Sequence, residues 1–106
     1  MASTREYLDF ILEQLSAIDG ITSRLMMGEY ILYLKGRIIG GIYDDRFLVK
    51  PTRSAKALMP EAVMERPYEG AKEMLLVDNV DNRDFLTQLL TVLYNELPAP
   101  KSKKKR

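Results

Sequence analysis

The stretch RLMMGEYILYLKGRIIGGIYDDRFLVK, residues 24–50, decides the fold. It is rich in aliphatic residues and tyrosine, which are favoured in strands. Lys35-Gly36 predicts a tight turn because glycine tolerates the positive φ of hairpin turns, and Asp44-Asp45 predicts a second turn. Strands joined by tight turns are antiparallel, so the stretch predicts a meander. Its strands are residues 24–34, 37–43 and 46–50.

Glycines fall inside these predicted strands, at Gly28, Gly40 and Gly41. A glycine inside a strand often marks a bulge or a close approach of two backbones. Pro51 ends the third strand, since proline cannot donate a ladder hydrogen bond.

A helix is predicted before the meander. Ser3-x-x-Glu6 is typical of a capping box, in which each side chain bonds the other residue's backbone N–H. We expect the helix to end at Asp19-Gly20, where glycine can take positive φ. Apolar residues recur at helical spacing between these ends, at Leu8, Ile11, Leu12, Leu15 and Ile18.

Two more helices and a strand are predicted after the meander. Thr52 is the expected N-cap of a short helix through residues 54–59. Residues 60–72 contain two prolines and a glycine and predict mostly a connection, although residues 61–65 could form a helical turn. Residues 74–77 are apolar and predict a buried fourth strand. Residues 78–81 offer N-caps for a last helix, whose apolar face carries Leu86, Leu89, Leu90, Leu93 and Leu97.

The element order is therefore helix, three strands, short helix, strand, helix. This order predicts an α+β fold with an antiparallel sheet and helices packed on it. A chain of 106 residues is enough for one domain. We expect a single domain over residues 1–98 and a disordered basic tail over residues 99–106.

Composition excludes several kinds of chemistry. The chain has no histidine and no cysteine, so the commonest general base and the most reactive nucleophile are both missing. No glycine-rich phosphate loop is present. We assign no catalytic, cofactor-binding or metal-binding residue, and we expect the chain not to be an enzyme. It shows neither a signal peptide nor an apolar run long enough to span a membrane, which predicts a cytoplasmic location without membrane contact.

Three features leave a functional alternative open. Asp44-Asp45 could serve a metal or acid–base site, although adjacent acidic residues at a strand corner are more often turn formers. Tyrosines beside basic residues in the meander suit a nucleic-acid platform, although strand tyrosines are also favoured for packing alone. Met26-Met27 is typical of adaptable binding surfaces, although we expect at least one of the two to fill the core.

The end of the chain is strongly basic. Its last six residues hold five of the 16 basic side chains, whereas residues 1–100 carry a net charge of −4. Such a run would contact phosphates without reading sequence, and it would equally serve as a solubilising end. The basic residues are Lys101, Lys103, Lys104, Lys105 and Arg106.

The order and spacing of several motifs resemble the N-terminal domain of the TfoX/Sxy family. The first is Ser23-Arg24-x-Met26-x-Gly28-x-Tyr30, followed by Lys35-Gly36 and the segment Asp44-Asp45-Arg46-Phe-Leu-Val-Lys50. The similarity continues through residues 67–75 and 80–83 and ends at Leu97-Pro98-Ala99-Pro100-Lys101. It covers nearly the whole chain from about Leu12 onward.

The resemblance implies an α+β fold of the kind shared with secretion chaperones, a dimer, and no established catalytic residues. In longer family members the domain lies beside a C-terminal domain, and the whole protein helps a transcription activator to turn on DNA-uptake genes. The family-motif positions predict an interaction surface or fix the shape of the meander, and we favour the structural role. They are Arg24, Met26, Gly28, Tyr30, Asp44, Asp45 and Arg46.

Three functions follow, in order of preference. The first is a non-enzymatic regulatory domain that binds a protein, either a transcription activator or a second copy of itself. The second is an accessory protein that binds nucleic acid through the basic tail. The third is an enzyme or small-molecule binder with an acidic site near Asp44 and Asp45, which would require a pocket there.

Overall fold

Every turn in the strand-forming stretch consists of two residues with positive φ. The φ angles are 52° and 88° at Lys35-Gly36, and 53° and 57° at Asp44-Asp45. A third turn of the same kind lies at Met27-Gly28, with φ angles of 54° and 85°. This geometry is that of type I′ turns, whose twist matches the twist of paired strands. Both predicted turns are confirmed.

The third turn corrects the meander. The predicted strand 24–34 is wrong, because this part of the chain forms two strands that pair from Met26↔Glu29 to Ile21↔Leu34. Gly28 accordingly lies in a turn and not inside a strand. The meander therefore has four strands, and the first of them starts at Ile21, three residues before the predicted start.

The computed structural model describes residues 3–97. Its elements are α1 (Arg5–Gln14), β1 (Ile21–Met26), β2 (Glu29–Leu34), β3 (Arg37–Ile42), β4 (Phe47–Val49), α2 (Arg53–Leu58), β5 (Met64–Glu65), β6 (Met74–Leu76) and α3 (Arg83–Glu96). The predicted tail, residues 99–106, lies outside the described residues.

One sheet contains all six of these strands, in the order β1-β2-β3-β4-β6-β5, and every neighbouring pair is antiparallel. Alternate sheet residues, among them Leu32 and Phe47, join α1, α2 and α3 in one buried cluster. The helices therefore cover one face of the sheet, and the α+β prediction is confirmed. The predicted leucine face of α3 is also confirmed, since Leu86, Leu89, Leu90 and Leu93 are fully buried.

Helix starts were predicted to within one residue. Thr4, not Ser3, caps α1, and its hydroxyl accepts from the Tyr7 N–H at 3.2 Å. Asn82, not a residue of 78–81, caps α3 by accepting from the Phe85 N–H at 3.0 Å. Thr52 caps α2 as predicted. Neighbouring polar residues have similar capping preferences, so tertiary contacts decide among them.

Two further segments differ from the sequence prediction, and a third agrees with it. The helical part of α1 ends at Gln14, and turns carry the chain on to Gly20, which has the expected positive φ. Residues 61–65 do not form a helical turn; Met64 and Glu65 pair with β6 as strand β5. The predicted strand at residues 74–77 is confirmed as β6.

Close backbone contacts explain the two glycines of β3. A Cβ at Gly40 would lie 2.7 Å from the Val49 Cα and closer still to the Leu48 carbonyl oxygen, and one at Gly41 would lie 2.5 Å from the Tyr30 carbonyl oxygen. The β2–β3 register also shifts between Leu32 and Tyr33, which is the signature of a bulge. The predicted close approach is confirmed.

Arg37 on β3 forms hydrogen bonds with the end of α3. Its Nη1 donates to the carbonyl oxygens of Tyr94 and Leu97 at 2.7 and 3.1 Å. The guanidinium also lies over the Tyr94 ring, 4.1 Å from its centroid. A cation at a helix C-terminus satisfies free carbonyls and complements the helix dipole.

Across residues 3–97, no helix combines the length and apolar character that a membrane span requires.

We expect Gly40→Ala to lower the free energy of unfolding by about 3 kcal/mol or more, because the new methyl group meets the β4 backbone and not a flexible side chain. Gly70→Ala is the matched control, since nothing lies within 4 Å of the position its methyl group would take and only its φ of 89° is unfavourable. Its cost should be about 1–2 kcal/mol. Urea denaturation measures both, and equal losses would contradict the steric argument.

We expect Met27→Asn to raise the free energy of unfolding by about 1 kcal/mol, because asparagine accepts positive φ more readily than methionine and Asn-Gly favours the type I′ turn. Met27→Ala is the control, because it removes the same side chain but keeps the strained backbone. Urea denaturation should show a gain for asparagine alone. A Met27→Asn variant no more stable than the parent would show that the turn is not strained.

Candidate interaction surface

Three chain segments meet at one end of the meander: the start of α1, the β1–β2 turn and the β3–β4 turn. Glu29 joins them, since its Oε1 accepts from the Ser3 hydroxyl at 2.5 Å and from the Asp44 N–H at 3.1 Å. The Gly28 carbonyl accepts from the Ser3 N–H at 3.1 Å. These bonds hold the two turns in fixed positions relative to each other.

The Asp44-Asp45 pair forms part of this junction. The Asp45 Oδ1 accepts from the Thr4 N–H at 2.8 Å and lies 3.2 Å from the Thr4 hydroxyl. The Asp45 N–H donates to the Ser3 hydroxyl at 3.2 Å. Among residues 3–97, no three His, Cys, Asp or Glu side chains are grouped to hold a metal ion. The geometry therefore favours the turn-forming role over an acidic site.

The other family-motif residues divide into internal and surface positions. The Arg46 Nε donates to the Tyr43 carbonyl at 3.0 Å, and its Nη1 forms an ion pair with Glu65. Tyr30 is half-buried and packs against the core. Arg24 and Met26 lie on the exposed part of β1. Only these two are placed for contact with another molecule, and their role in binding stays a prediction.

The basic residues proposed for a nucleic-acid platform are engaged elsewhere. Arg37 binds the end of α3, and Arg46 binds Glu65. The Lys35 ammonium lies 5.7 Å from the centroid of the Tyr94 ring, also on α3. These three basic side chains therefore contact other parts of the domain, whereas Arg24 on β1 is exposed, and nucleic-acid binding by the sheet stays a prediction.

The β1–β2 turn exposes a run of apolar side chains. Leu25 is 63% exposed, Met26 48% and Met27 97%. The expectation that at least one methionine fills the core is wrong. A two-residue turn places Met27 at the tip of the hairpin, where no part of residues 3–97 covers it.

An apolar cleft begins at this turn and continues over the sheet face opposite the helices. Its volume is about 420 Å³. We call it the hairpin surface and define it by its lining residues Met26, Met27, Glu29, Ile31, Tyr43 and Tyr68. Tyr68, which comes from a loop, is 64% exposed.

Tyr43 forms the floor of the hairpin surface. Its ring lies against Gly41 and 6.5 Å, between centroids, from the tilted ring of Tyr68. Burial, followed by the nearby Tyr68 and Glu29, raises the pKa of the Tyr43 hydroxyl above its ordinary value. The floor therefore stays uncharged at neutral pH, as an apolar contact requires.

Sequence reasoning missed most of this surface. The turn had a signal, because Met27-Gly28 repeats the spacing of Lys35-Gly36 between two strand-forming runs. Tyr68 had none, since it lies in a loop between Pro67 and Gly70 and reaches the cleft only through tertiary folding.

Comparisons with known proteins identify the family. The model of the TfoX N-terminal domain matches residues 13–88. A relative from Spirochaeta aurantia, an uncharacterized 12.7 kDa protein in the trpE 5′ region, is 32% identical over 105 residues, which cover 98% of this chain and 91% of the relative. No solved structure matches the chain. The family match begins at the end of α1, spans the whole sheet and α2, and ends within α3, and the chain belongs to the TfoX N-terminal domain family.

Proposed function

We propose that this chain is a non-enzymatic regulatory domain that acts by protein–protein contact through the hairpin surface. The observation that carries the proposal is Met27, which is almost fully exposed and has a φ of 54°. A non-glycine residue in this region costs about 1–2 kcal/mol. Strain of this kind, where an ordinary turn residue would relieve it, is concentrated at functional sites.

The chemistry of the hairpin surface suits a protein partner. Methionine is flexible and polarisable, so it adapts to varied apolar partners. Tyrosine adds a large rigid contact area with a polar tip. Met27 and Tyr68 both line a cleft with an uncharged floor, and such a cleft fits an apolar side chain or helix face.

Family membership supports the same proposal at a coarser level. The resemblance to TfoX/Sxy proteins implies action on a transcription activator and no catalytic residues. The partner of this chain is accordingly a transcription regulator or a second copy of itself, and the domain works in the cytoplasm.

Site-specific photo-crosslinking in cells tests this proposal. A benzophenone amino acid replaces Met27, and the same amino acid replaces exposed Gln88 on α3 as the matched control. We expect a discrete protein adduct from position 27 only, reduced at least ~5-fold by Tyr68→Ala because the variant removes an aromatic ring from the lining of the cleft. Identical adducts from both positions, or an adduct insensitive to Tyr68→Ala, would contradict the proposal.

The basic tail supports a second candidate, an accessory protein that binds nucleic acid. Five positive charges in the last six residues would contact phosphates, whereas residues 1–100 are net negative. Fluorescence anisotropy with duplex DNA should show binding by residues 1–106 that weakens steeply with salt. Residues 1–100 should not bind. Equal binding by both chains would place the contact outside the tail, and no binding by either would remove this candidate.

A further inference from the structure

Among residues 3–97, strand β1 is an uncovered edge of the sheet. It lies at the end of the strand order, and five of its six residues are exposed. The opposite edge, β5, has only two residues. Soluble proteins usually protect long edges with proline, lysine, bulges or a covering segment. β1 has no proline, pairs with β2 without a register shift, and carries one charge, Arg24.

The backbone groups that face outward can be assigned. Hydrogen-bonded and non-hydrogen-bonded pairs alternate along an antiparallel ladder, and the Lys35 N–H donates to the Gly20 carbonyl at 2.8 Å. Even-numbered residues of β1 therefore bond to β2. The residues whose N–H and C=O groups point away from the sheet are Ile21, Ser23 and Leu25.

We propose that β1 pairs antiparallel with β1 of a second copy of this chain, about a two-fold axis through Ser23. A residue whose backbone groups point outward can bond only to an outward-pointing residue of the partner strand. These residues occupy every second position, so the possible registers differ by two residues. In this register Ser23 faces the partner's Ser23, and Ile21 faces the partner's Leu25. All three outward residues of each strand are then used.

The side chains favour this register and a partner of the same sequence. Ile21 and Leu25 lie at equal distances on either side of Ser23, so the two-fold axis forms the same apolar pair twice. Arg24 faces the partner's Thr22. One neighbouring register would place Arg24 directly opposite the partner's Arg24, which is unfavourable. The other would pair Thr22 with the partner's Thr22 and leave Leu25 without a partner in β1. The strand is therefore complementary to itself.

This inference goes beyond the proposed function, because the second copy binds along the β1 edge and not at the hairpin surface. The interface consists of one six-residue strand from each copy, which is small for a stable complex. We expect a reversible dimer with a dissociation constant on the order of tens of micromolar.

Sedimentation equilibrium of the full chain tests the dimer. Ser23→Pro should weaken dimerisation at least ~10-fold, since it removes an outward N–H, and proline is tolerated on an edge strand when its N–H would face solvent. Ser23→Thr is the matched control and should dimerise like the parent. Leu25→Lys, at an exposed position, should weaken dimerisation similarly and covers the case in which Ser23→Pro fails to fold.

Introduced cysteines test the register, because the chain has none. Under mild oxidation Ser23→Cys should give a covalent dimer, since directly opposed strand residues lie within disulfide distance. Thr22→Cys or Arg24→Cys alone should give little, whereas an equimolar mixture of the two should form the mixed dimer.

Two outcomes would overturn the proposal: a monomeric mass at every concentration, or a dimer that both Ser23→Pro and Leu25→Lys leave unchanged. Failure here is distinguishable from failure of the proposed function. If crosslinking from Met27 joins a different protein and persists in folded Ser23→Pro or Leu25→Lys, the domain binds a partner without this dimer.

Discussion

Three two-residue turns fix the register of the first four strands, and the rest of the structure depends on that register. Side chains alternate between the two faces of a strand, so a slip of one residue would exchange the buried and exposed sets. With the turns at Met27-Gly28, Lys35-Gly36 and Asp44-Asp45, Leu32 faces the helices and Ile31 faces the cleft. The strand register therefore determines both which residues form the core and which line the hairpin surface. A change of register would alter both sets.

Four non-glycine residues occupy these strained turn positions, and three of them have a structural explanation. Asp44 and Asp45 are of a type that tolerates positive φ, and Asp45 also binds the start of α1. Lys35 packs its side chain over Gly20 and directs its ammonium to Tyr94. Met27 makes no compensating contact within the described residues and is almost fully exposed. We therefore attribute the exposed methionine at this strained position to function and not to a requirement of the fold.

The sequence predicted those elements whose signals are local. Lys35-Gly36, the Thr52 cap and the leucine face of α3 each depend on residues within a few positions of one another, and all three are confirmed. Which of two similar neighbours caps a helix depends on distant partners. Ser3 does not cap α1, because its hydroxyl donates to Glu29. The candidate site was harder to predict from the sequence. Whether Met27 is buried depends on which distant segments pack against it, and no local sequence pattern indicates those segments.

The hairpin surface and the free edge of β1 use different parts of the same hairpin, so one contact does not exclude the other. Edge pairing takes place in the plane of the sheet through backbone groups, whereas the cleft lies on the face opposite the helices. A two-fold axis through Ser23 is perpendicular to the sheet and leaves its faces unexchanged. The proposed pair would thus present two clefts on the same side, and a partner with two matching segments would gain from bivalent binding without any new contact. A weak dimer is sufficient for this purpose, because the partner itself would hold the two copies together.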